Sequence, residues 1–356
     1  MKIAVINSGS SSLKFKLFEM PGAKVLREEL VEHIGEKNAP IQNHHEAIAS
    51  LHVNFADIDA VGHRVVHGGE KFVNSTLIDD EVIAAIKDLI SLAPLHNPAN
   101  LEGIKVVRHY APNIPQIAVF DTAFHASLSQ EAYLYALPYE LYEKHQIRRY
   151  GFHGTSHAYL LQKAAAMLGK KVEQTNIITL HLGNGASACA IKNGKSCDTS
   201  MGFTPLEGLV MGTRCGDIDP AIVLYLQNTL HVSSTEVDKI LNKKSGLLGL
   251  CGENDVRNIE QRSDERAKLA LDIMVRRIQK YIGAYMVLLE NIDAIVFSGG
   301  IGENSQYVRD AVMNNKILKN IKSLVIKTDE ELQIANECLE VLRVKGTSKN
   351  YSNTQR

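Results

Sequence analysis

The apolar positions of the chain fall into two patterns, and each pattern predicts a different kind of strand. Continuous apolar runs without alternation are typical of strands that are covered on both faces. These runs lie at residues 3–6, 58–69, 116–121, 176–182, 292–297 and 323–326. After the first run, Leu13, Phe15 and Leu17 alternate with Lys14 and Lys16, which predicts a half-buried strand. The chain therefore begins with a strand, a turn and a second strand.

Longer segments with helical signals separate these runs. Helices are predicted within residues 35–54, over 99–110, up to about residue 168, after Pro220 and over 263–289. Thr155 or Ser156 is predicted to cap the helix that leads to residue 168. Thr328 and Glu331 have the spacing of a capping box and predict a last helix that begins there. Strands that alternate with helices in this way indicate an α/β fold.

Two glycine turns interrupt apolar runs in the same manner. The run at 176–182 is followed by Gly183, Asn184 and Gly185, and the run at 3–6 is followed by a turn at Gly9. Each turn has a polar residue two positions before its glycine, Asn7 before Gly9 and His181 before Gly183. Such turns let backbone N–H groups converge on a phosphate, although either turn alone could be an ordinary tight turn. Their repetition predicts a duplicated domain with phosphates bound at the two turns.

Composition places the chain among ordinary globular proteins. It has 356 residues, enough for about two domains, and 45% hydrophobic with 22% charged residues. The 39 basic and 40 acidic residues give a net charge of −1, which argues against a nucleic-acid partner. No apolar run approaches the ~20 residues of a membrane span, and the start of the chain leads into a strand rather than a signal sequence. Five cysteines without a CxxC pair fit a reducing cytoplasm.

Charged residues inside or after apolar runs are the candidates for chemistry. Arg64 lies in the run at 58–69, and a buried guanidinium needs an anionic partner, which could be a substrate or a structural carboxylate. Asp121 ends the run at 116–121, where ligand-facing carboxylates of α/β sheets lie. His153 stands among glycines and aromatic residues, and a glycine-rich loop presents Arg214.

The chain has no Walker A motif and no GxGxxG fingerprint, so phosphate binding would use the paired hairpins. A third glycine turn, predicted at residues 298–305, could seat an adenosine against its backbone.

Seven motifs in this order resemble the acetate kinase family, within the superfamily of acetate and sugar kinases, actin and heat-shock chaperone ATPases. The motifs occupy residues 7–14, 62–69, 120–125, 150–157, 181–185, 211–220 and 300–304. The resemblance implies an α/β fold of two duplicated ribonuclease H-like domains with the active site in an interdomain cleft. The first domain would span residues 1–125 with the returning helix of 332–356, and the second, nucleotide-binding domain residues 126–331.

The resemblance also implies the activity and the partners. Members of this family transfer the γ-phosphoryl group of ATP reversibly to acetate or another short carboxylate, with Mg²⁺, for which Mn²⁺ substitutes. A cytoplasmic homodimer without nucleic-acid or membrane partners is expected. A propionate or butyrate kinase remains an alternative, because only the pocket walls would differ. A non-enzymatic ATP switch of the actin or chaperone type is a second alternative, although it would not need Arg64, His153 and Arg214 together.

The resemblance assigns roles residue by residue. Asp121, His153 and Arg214 would be catalytic, and Arg64, Val66, Leu95 and Pro205 would bind the substrate. The residues implied at ATP are Lys14, His181, Leu182, Gly183, Asn184, Gly185, Asp255, Val256, Arg257, Gly300, Ile301, Gly302, Glu303 and Asn304. Asn7 and Glu330 would hold Mg²⁺.

This chain departs from the family pattern in two spacings. The segments between Lys14 and Arg64 and between Asn304 and Glu330 are shorter than the family usually has. The second departure bears on Glu330, which could instead serve only the start of the last helix.

Val66 is predicted to limit the size of the substrate. It lies two residues from Arg64 on a predicted strand, so the two side chains would share a face. Opening the pocket by Val66→Ala makes room for one more methylene, worth roughly 1 to 3 kcal/mol in an apolar pocket. We expect the propionate-to-acetate ratio of kcat/KM to rise by about tenfold, with the KM for ATP unchanged. An unchanged ratio in steady-state assays would place the pocket elsewhere.

Overall fold

A computed structural model describes residues 1–9, 11–36, 39–93 and 96–353, with only the helical backbone for 345–353. The chain divides into two compact units. Unit 1 comprises Met1–Ala126 and Asp329–Arg356, and unit 2 comprises Ser127–Thr328. The last helix therefore belongs to the unit that contains the first strand.

Strands and helices alternate in both units. Residues 1–126 contain β1 Lys2–Ser8, β2 Leu13–Glu19, β3 Lys24–Val31, α1 His44–Ser50, β4 Ala60–Val65, β5 Thr76–Leu77, α2 Asp80–Asp88, α3 Asn97–Tyr110 and β6 Gln116–Phe120. Residues 127–328 contain α4 Gln130–Tyr133, α5 Tyr139–His145, α6 Gly154–Leu168, β7 Ile177–Leu182, β8 Ala186–Lys192, β9 Lys195–Thr199, α7 Ala221–Asn228, α8 Ser234–Lys243, α9 Gly246–Cys251, α10 Val256–Glu260, α11 Glu265–Leu289, β10 Ala294–Ser298, α12 Gly299–Asn304, α13 Gln306–Met313 and β11 Ser323–Val325. The last helix is α14, Glu330–Asn353.

Unit 1 contains a mixed sheet in the order β3-β2-β1-β4-β6-β5. β1 and β2 form an antiparallel hairpin in which Asn7 faces Lys14. β4 is parallel to β1, with Ile6 opposite His63, and β6 is parallel to β4, with Arg64 opposite Val119. The carboxyl ends of β1, β4 and β6 therefore meet at one edge of the sheet.

Unit 2 repeats this topology. Its sheet has the order β11-β10-β7-β8-β9, with β7 antiparallel to β8 and parallel to β10. The hairpins β1–β2 and β7–β8 hold the same place in their sheets, and Gly9 and Gly183 each follow the first strand. The predicted duplication in an α/β fold is confirmed. Asn193 and Gly194, with φ of 50° and 76°, form the turn between β8 and β9.

Both faces of the unit 1 sheet are covered. One apolar cluster joins Leu13 and Phe15 to α1 and α3, and another joins Ile3 and Val5 to α14. The prediction of a half-buried β2 is wrong in one respect, because Lys16 is buried too. Its ammonium group lies 3.5 Å from Asp329 and 3.6 Å from Glu28. Paired carboxylates make this burial possible.

Three local predictions need correction. Asp329, not Thr328, accepts the capping hydrogen bond of α14, from the N–H of Leu332 at 3.0 Å. His153 occupies the N-cap position of α6 without a side-chain cap, so neither Thr155 nor Ser156 caps that helix.

The third correction concerns the glycine segment at 298–305, which forms the short helix α12 instead of a turn. Gly299 has a φ of 77° and starts this helix directly after β10. Glu303 stabilises that start, because its carboxylate accepts the N–H of Gly299 at 3.0 Å.

The five cysteines are free thiols. None of the helices within the described ranges is both long and apolar enough to cross a membrane.

Gly62 of β4 marks the closest approach of α14 to the sheet. A Cβ at this position would lie 2.6 Å from Cys338 Sγ and 2.8 Å from Ile334 Cγ2. We expect Gly62→Ala to lower the free energy of unfolding by about 1 to 3 kcal/mol, because overpacking displaces the helix. Gly283→Ala is the control: no atom lies within 4 Å of a Cβ at this α11 position, so the variant should gain up to about 1 kcal/mol. Urea unfolding followed by circular dichroism measures both, and equal stabilities would contradict the packing argument.

Candidate functional site

Unit 1 gathers three of the predicted site residues where its parallel strands end. Arg64 lies in β4, Asp121 follows β6, and Asn7 is next to the last residue of β1. Arg64 Nε lies 3.0 Å from each carboxylate oxygen of Asp121, and Nη1 donates to Asn7 Oδ1 at 3.2 Å. The strand register brings these residues together, as the sequence predicted for Asp121.

Arg64 has the structural carboxylate partner that its burial requires. Burial disfavours the charged guanidinium, but the carboxylates of Asp121 and Glu330 outweigh this and raise the pKa of Arg64. Asp121 is almost fully buried, whereas about a fifth of the Arg64 side chain stays exposed. Glu330 is more distant, with its carboxylate 4.0 Å from Arg64 Nε. The guanidinium is thus anchored by Asp121, and the side chain as a whole is not fully buried.

Glu331 joins this cluster from the first turn of α14. Its carboxylate accepts from Lys14 Nζ at 2.9 Å and from Asn7 Nδ2 at 3.2 Å. The sequence placed Glu331 in a capping box and missed this role. The signal that could have found it is the hairpin register, which sets Asn7 opposite Lys14 and presents both to one acceptor.

The predicted substrate wall is only partly described. Val66 is buried, and its N–H donates to Asn100 Oδ1 at 3.0 Å. Leu95 lies outside the described residues. Two buried asparagines of α3 were missed by the sequence: Asn97 accepts the N–H of His67 at 3.1 Å, and Asn100 Nδ2 donates to the Ser8 carbonyl at 2.7 Å. They fix the backbone at the ends of β1 and β4.

Unit 2 brings His153 and His181 together. Their ring centroids are 4.3 Å apart. His153 Nδ1 lies 2.9 Å from Ser187 Oγ, and His181 Nδ1 lies 2.8 Å from Ser156 Oγ. His153 has a φ of 56°, a left-handed backbone that few non-glycine residues adopt. The serine partners were not predicted, because they come from β8 and α6.

Arg214 differs from Arg64 in its surroundings. It donates to the Pro205 carbonyl at 3.0 Å and contacts Met211 Sδ at 3.6 Å. Within the described residues no carboxylate forms an ion pair with it, and burial lowers its pKa. The group stays charged at neutral pH. A Cβ at Gly185 would lie 3.5 Å from Arg214 Nη1 and 3.6 Å from the His153 ring. Arg214, His153 and the central glycine turn therefore share one place.

The turn residue Asn184 is held from two sides. Its carbonyl accepts the N–H of Gly212 at 3.0 Å, and its Oδ1 accepts from Asn254 Nδ2 at 3.3 Å. A side chain at Gly212 would overlap Asn184 Oδ1. The β7–β8 turn and the loop that carries Arg214 are thus in direct contact.

A cavity of about 530 Å³ opens beside this turn. Its lining residues are Gly183, Asn184, Asn254, Asp255, Val256, Arg257, Glu260, Gly300, Ile301, Asn304 and Ser305. It brings together the two segments that the sequence assigned to adenosine. Nothing lies within 4 Å of a Cβ at Gly300, so that wall is open.

Six residues of the predicted ATP set do not line the cavity, namely Lys14, His181, Leu182, Gly185, Gly302 and Glu303. Three of these have other contacts. Leu182 and Gly302 are buried. Glu303 turns its carboxylate to backbone N–H groups, those of Gly299 at 3.0 Å and Thr328 at 3.2 Å. Leu182 and Gly302 therefore pack in the interior, and Glu303 binds backbone N–H groups.

Comparison with known proteins gives a consistent result. A sequence model of the acetokinase family matches residues 2–53 and 43–350. The chain belongs to the acetokinase family. An acetate kinase of Sulfurimonas denitrificans is 54% identical over 388 residues, which cover 96% of this chain and 100% of that protein.

Two solved structures resemble this member of the acetokinase family over most of its length. An acetate kinase of Porphyromonas gingivalis is 41% identical, with a TM-score of 0.89 and coverage of 96% of this chain and 99% of the other. A propionate kinase of Francisella tularensis is 42% identical, also with a TM-score of 0.89, and the coverage is 94% and 98%. These likenesses agree with the duplicated fold that the two sheets show.

The Sulfurimonas alignment has more positions than this chain has residues, so that relative carries segments which this acetokinase lacks. This agrees with the short segments between Lys14 and Arg64 and between Asn304 and Glu330.

The Glu331 carboxylate should stabilise the fold in a pH-dependent way. Burial raises its pKa, but Lys14 and Asn7 outweigh this effect, so its pKa is lowered from 4.5. Its contribution is therefore complete above pH 4.5 and is lost as the pH falls through the lowered value. We expect Glu331→Gln to cost about 1 to 2 kcal/mol of unfolding free energy at pH 7.

Urea titrations from pH 7 downwards test this expectation. The difference between wild type and Glu331→Gln should shrink below pH 4.5. Glu28→Gln is the matched control, since Glu28 also faces Lys14, at 3.8 Å, but is half exposed. A Glu331→Gln difference that is independent of pH would contradict the assignment.

Proposed function

We propose that the chain is an acetate kinase, which transfers the γ-phosphoryl group of ATP reversibly and in line to acetate, giving acetyl phosphate and ADP. Arg214 carries the proposal. A partly buried guanidinium without a carboxylate partner in the described chain, next to a glycine turn and His153, suits an anion that is itself the ligand. Membership of the acetokinase family supports the same reaction.

The reaction needs charge compensation more than it needs a base. The acceptor carboxylate is ionised at neutral pH, because its pKa is near the ~4.3 of a glutamate side chain. The obstacle is repulsion between this anion and the phosphates. Arg214, His153 and the amides around Asn184 would stabilise negative charge on the transferring group. Asp121 would orient Arg64 through their paired contacts, rather than move a proton.

The substrate would bind through Arg64, with its alkyl group toward Val66. A guanidinium pairs well with a carboxylate, and the Arg64 side chain remains about a fifth exposed. The adenosine of ATP would occupy the cavity lined by Asp255, Arg257 and Gly300, and its phosphates would reach Asn184.

The proposed metal ligands fit Mg²⁺. Asn7 and Glu330 offer oxygen donors, and Mg²⁺ takes one or two protein carboxylates together with phosphates and waters. Among the described residues there is no group of three or more Asp, Glu, His or Cys side chains placed to hold a metal ion. When bound, Mg²⁺ would neutralise charge on the phosphates.

Propionate kinase is the second candidate, because a propionate kinase of the same fold is 42% identical to this chain. A kcat/KM series over acetate, propionate and butyrate separates the candidates. We further propose a cytoplasmic homodimer, which sedimentation velocity tests.

The decisive experiment traps the acyl phosphate. Purified protein with ATP, Mg²⁺ and acetate should give acetyl hydroxamate on addition of hydroxylamine. An ATP switch of the actin or chaperone type would release phosphate and give no hydroxamate.

Substitutions of Arg214 and Arg64 should change different kinetic parameters. Arg214→Ala should lower kcat by ~10³-fold or more with a nearly unchanged KM for ATP, because its charge acts where negative charge develops. Arg64→Ala should raise the KM for acetate, since it removes the carboxylate's partner. Steady-state kinetics of both variants with each substrate varied measure this. A near-normal kcat in Arg214→Ala, or unchanged acetate saturation in Arg64→Ala, would remove the respective role.

A further inference from the structure

A partly buried hydrogen-bond network holds the loop that precedes Arg214. Glu207 accepts from Arg149 Nη2 at 2.6 Å, and its other carboxylate oxygen accepts from the hydroxyl of Tyr135. The side chain of Arg149 is mostly buried, and Glu207 is about a third exposed. None of these three side chains has a role in the phosphoryl transfer proposed for Arg214 and His153.

Arg149 and Tyr135 also hold the backbone at the start of the loop. Arg149 Nη1 donates to the carbonyls of Thr199 at 3.0 Å and Met201 at 3.1 Å. The Tyr135 hydroxyl accepts the N–H of Phe203 at 2.9 Å. Glu207 thus anchors the end of the segment 202–207 to Arg149 and Tyr135, and these two residues also hold the backbone at and just before the start of that segment.

This segment contacts Arg214 and the residues just before His153, and Arg214 and His153 are the two catalytic candidates of unit 2. The Gly202 carbonyl accepts the N–H groups of Tyr150 at 3.1 Å and Gly151 at 3.2 Å, just before His153. The Pro205 carbonyl accepts from the guanidinium of Arg214. A side chain at Gly202 would overlap both the Glu207 carboxylate and the Tyr135 hydroxyl, so the network fills the space that glycine leaves.

We propose that Glu207 is a positioning residue for phosphoryl transfer: clamped by Arg149 and Tyr135, it fixes the Pro205 carbonyl and, through it, the guanidinium of Arg214. The inference rests on the proposed function. It follows from the absence of an ion-pair partner for Arg214 in the described chain, because a single carbonyl at 3.0 Å then sets the direction of its charge. Displacing this carbonyl leaves Arg214 charged but changes the orientation of its guanidinium.

The first test replaces the carboxylate by its isosteric amide. Glu207→Gln keeps the shape of the side chain but removes the charge that Arg149 requires. We expect kcat to fall at least tenfold, with the KM for ATP within twofold of wild type. Glu236→Gln is the control, since Glu236 is an exposed carboxylate that also pairs with a cation, Lys244, but lies on α8. It should leave kcat and KM unchanged.

A double-mutant cycle separates positioning from a merely structural role. Glu207→Gln is measured in the wild-type and the Arg214→Ala backgrounds, with hydroxamate accumulated over long incubations. If Glu207 acts through Arg214, its substitution should change kcat by less than twofold once Arg214 is absent. If Glu207→Gln lowers kcat by the same factor in both backgrounds, the two residues act independently and the proposal is overturned. A Glu207→Gln enzyme with wild-type kcat would overturn it too.

Tyr135→Phe provides the second route, because it removes one hydroxyl and leaves the Arg149–Glu207 pair. Should Glu207→Gln fail to fold by circular dichroism, the same cycle with Tyr135→Phe decides by the same criterion. A wild-type protein that forms no acetyl hydroxamate overturns the proposed function and this inference together. An active wild type with equal factors in both backgrounds overturns the inference alone.

Discussion

The ion pair of Arg64 and Asp121 is the constraint on which the first unit depends. A guanidinium in a central strand must be neutralised, and its neighbours at the same height in the sheet are the ends of β1 and β6. Those ends carry Asn7 and Asp121, and both contact Arg64. The hairpin register then sets Lys14 beside Asn7, and α14 supplies Glu331 to both. The charge of Arg64 thus has polar partners at the ends of β1 and β6, and Asn7 links it to the pair of Lys14 and Glu331.

The second unit has the same topology, but its candidate arginine has a different kind of partner. Arg214 comes from a loop rather than a strand, and it is held by a carbonyl where Arg64 is held by a carboxylate. A carbonyl directs a cation without cancelling its charge. The duplicated fold therefore offers one neutralised guanidinium and one without a carboxylate partner among the described residues.

Sequence reasoning reached the strands, the duplication and the main charged residues for a clear reason. Buried strands and glycine turns are local signals, and Asp121 follows directly from its place after an apolar run. What it missed depends on long-range contacts. The carboxylate of Glu331 contacts Asn7, 324 positions away, and the local capping-box pattern pointed elsewhere. Asn97, Asn100 and Ser187 likewise look like ordinary polar residues until their partners are known. At 298–305 the glycines predicted a turn, yet Glu303 satisfies an N–H group at the start of a helix, so a hydrogen bond overrode local propensity.

The place of α14 has a consequence for how the protein is made. Ile334, Ala335 and Cys338 complete the apolar cluster that contains Ile3 and Val5. A ribosome delivers these two halves at opposite ends of synthesis, with all of unit 2 in between. Until α14 emerges, one face of the first sheet has no cover, while unit 2 is already complete in sequence. The nascent first unit must therefore wait for its last helix, and during that interval its uncovered strands are open to chaperones and to other chains.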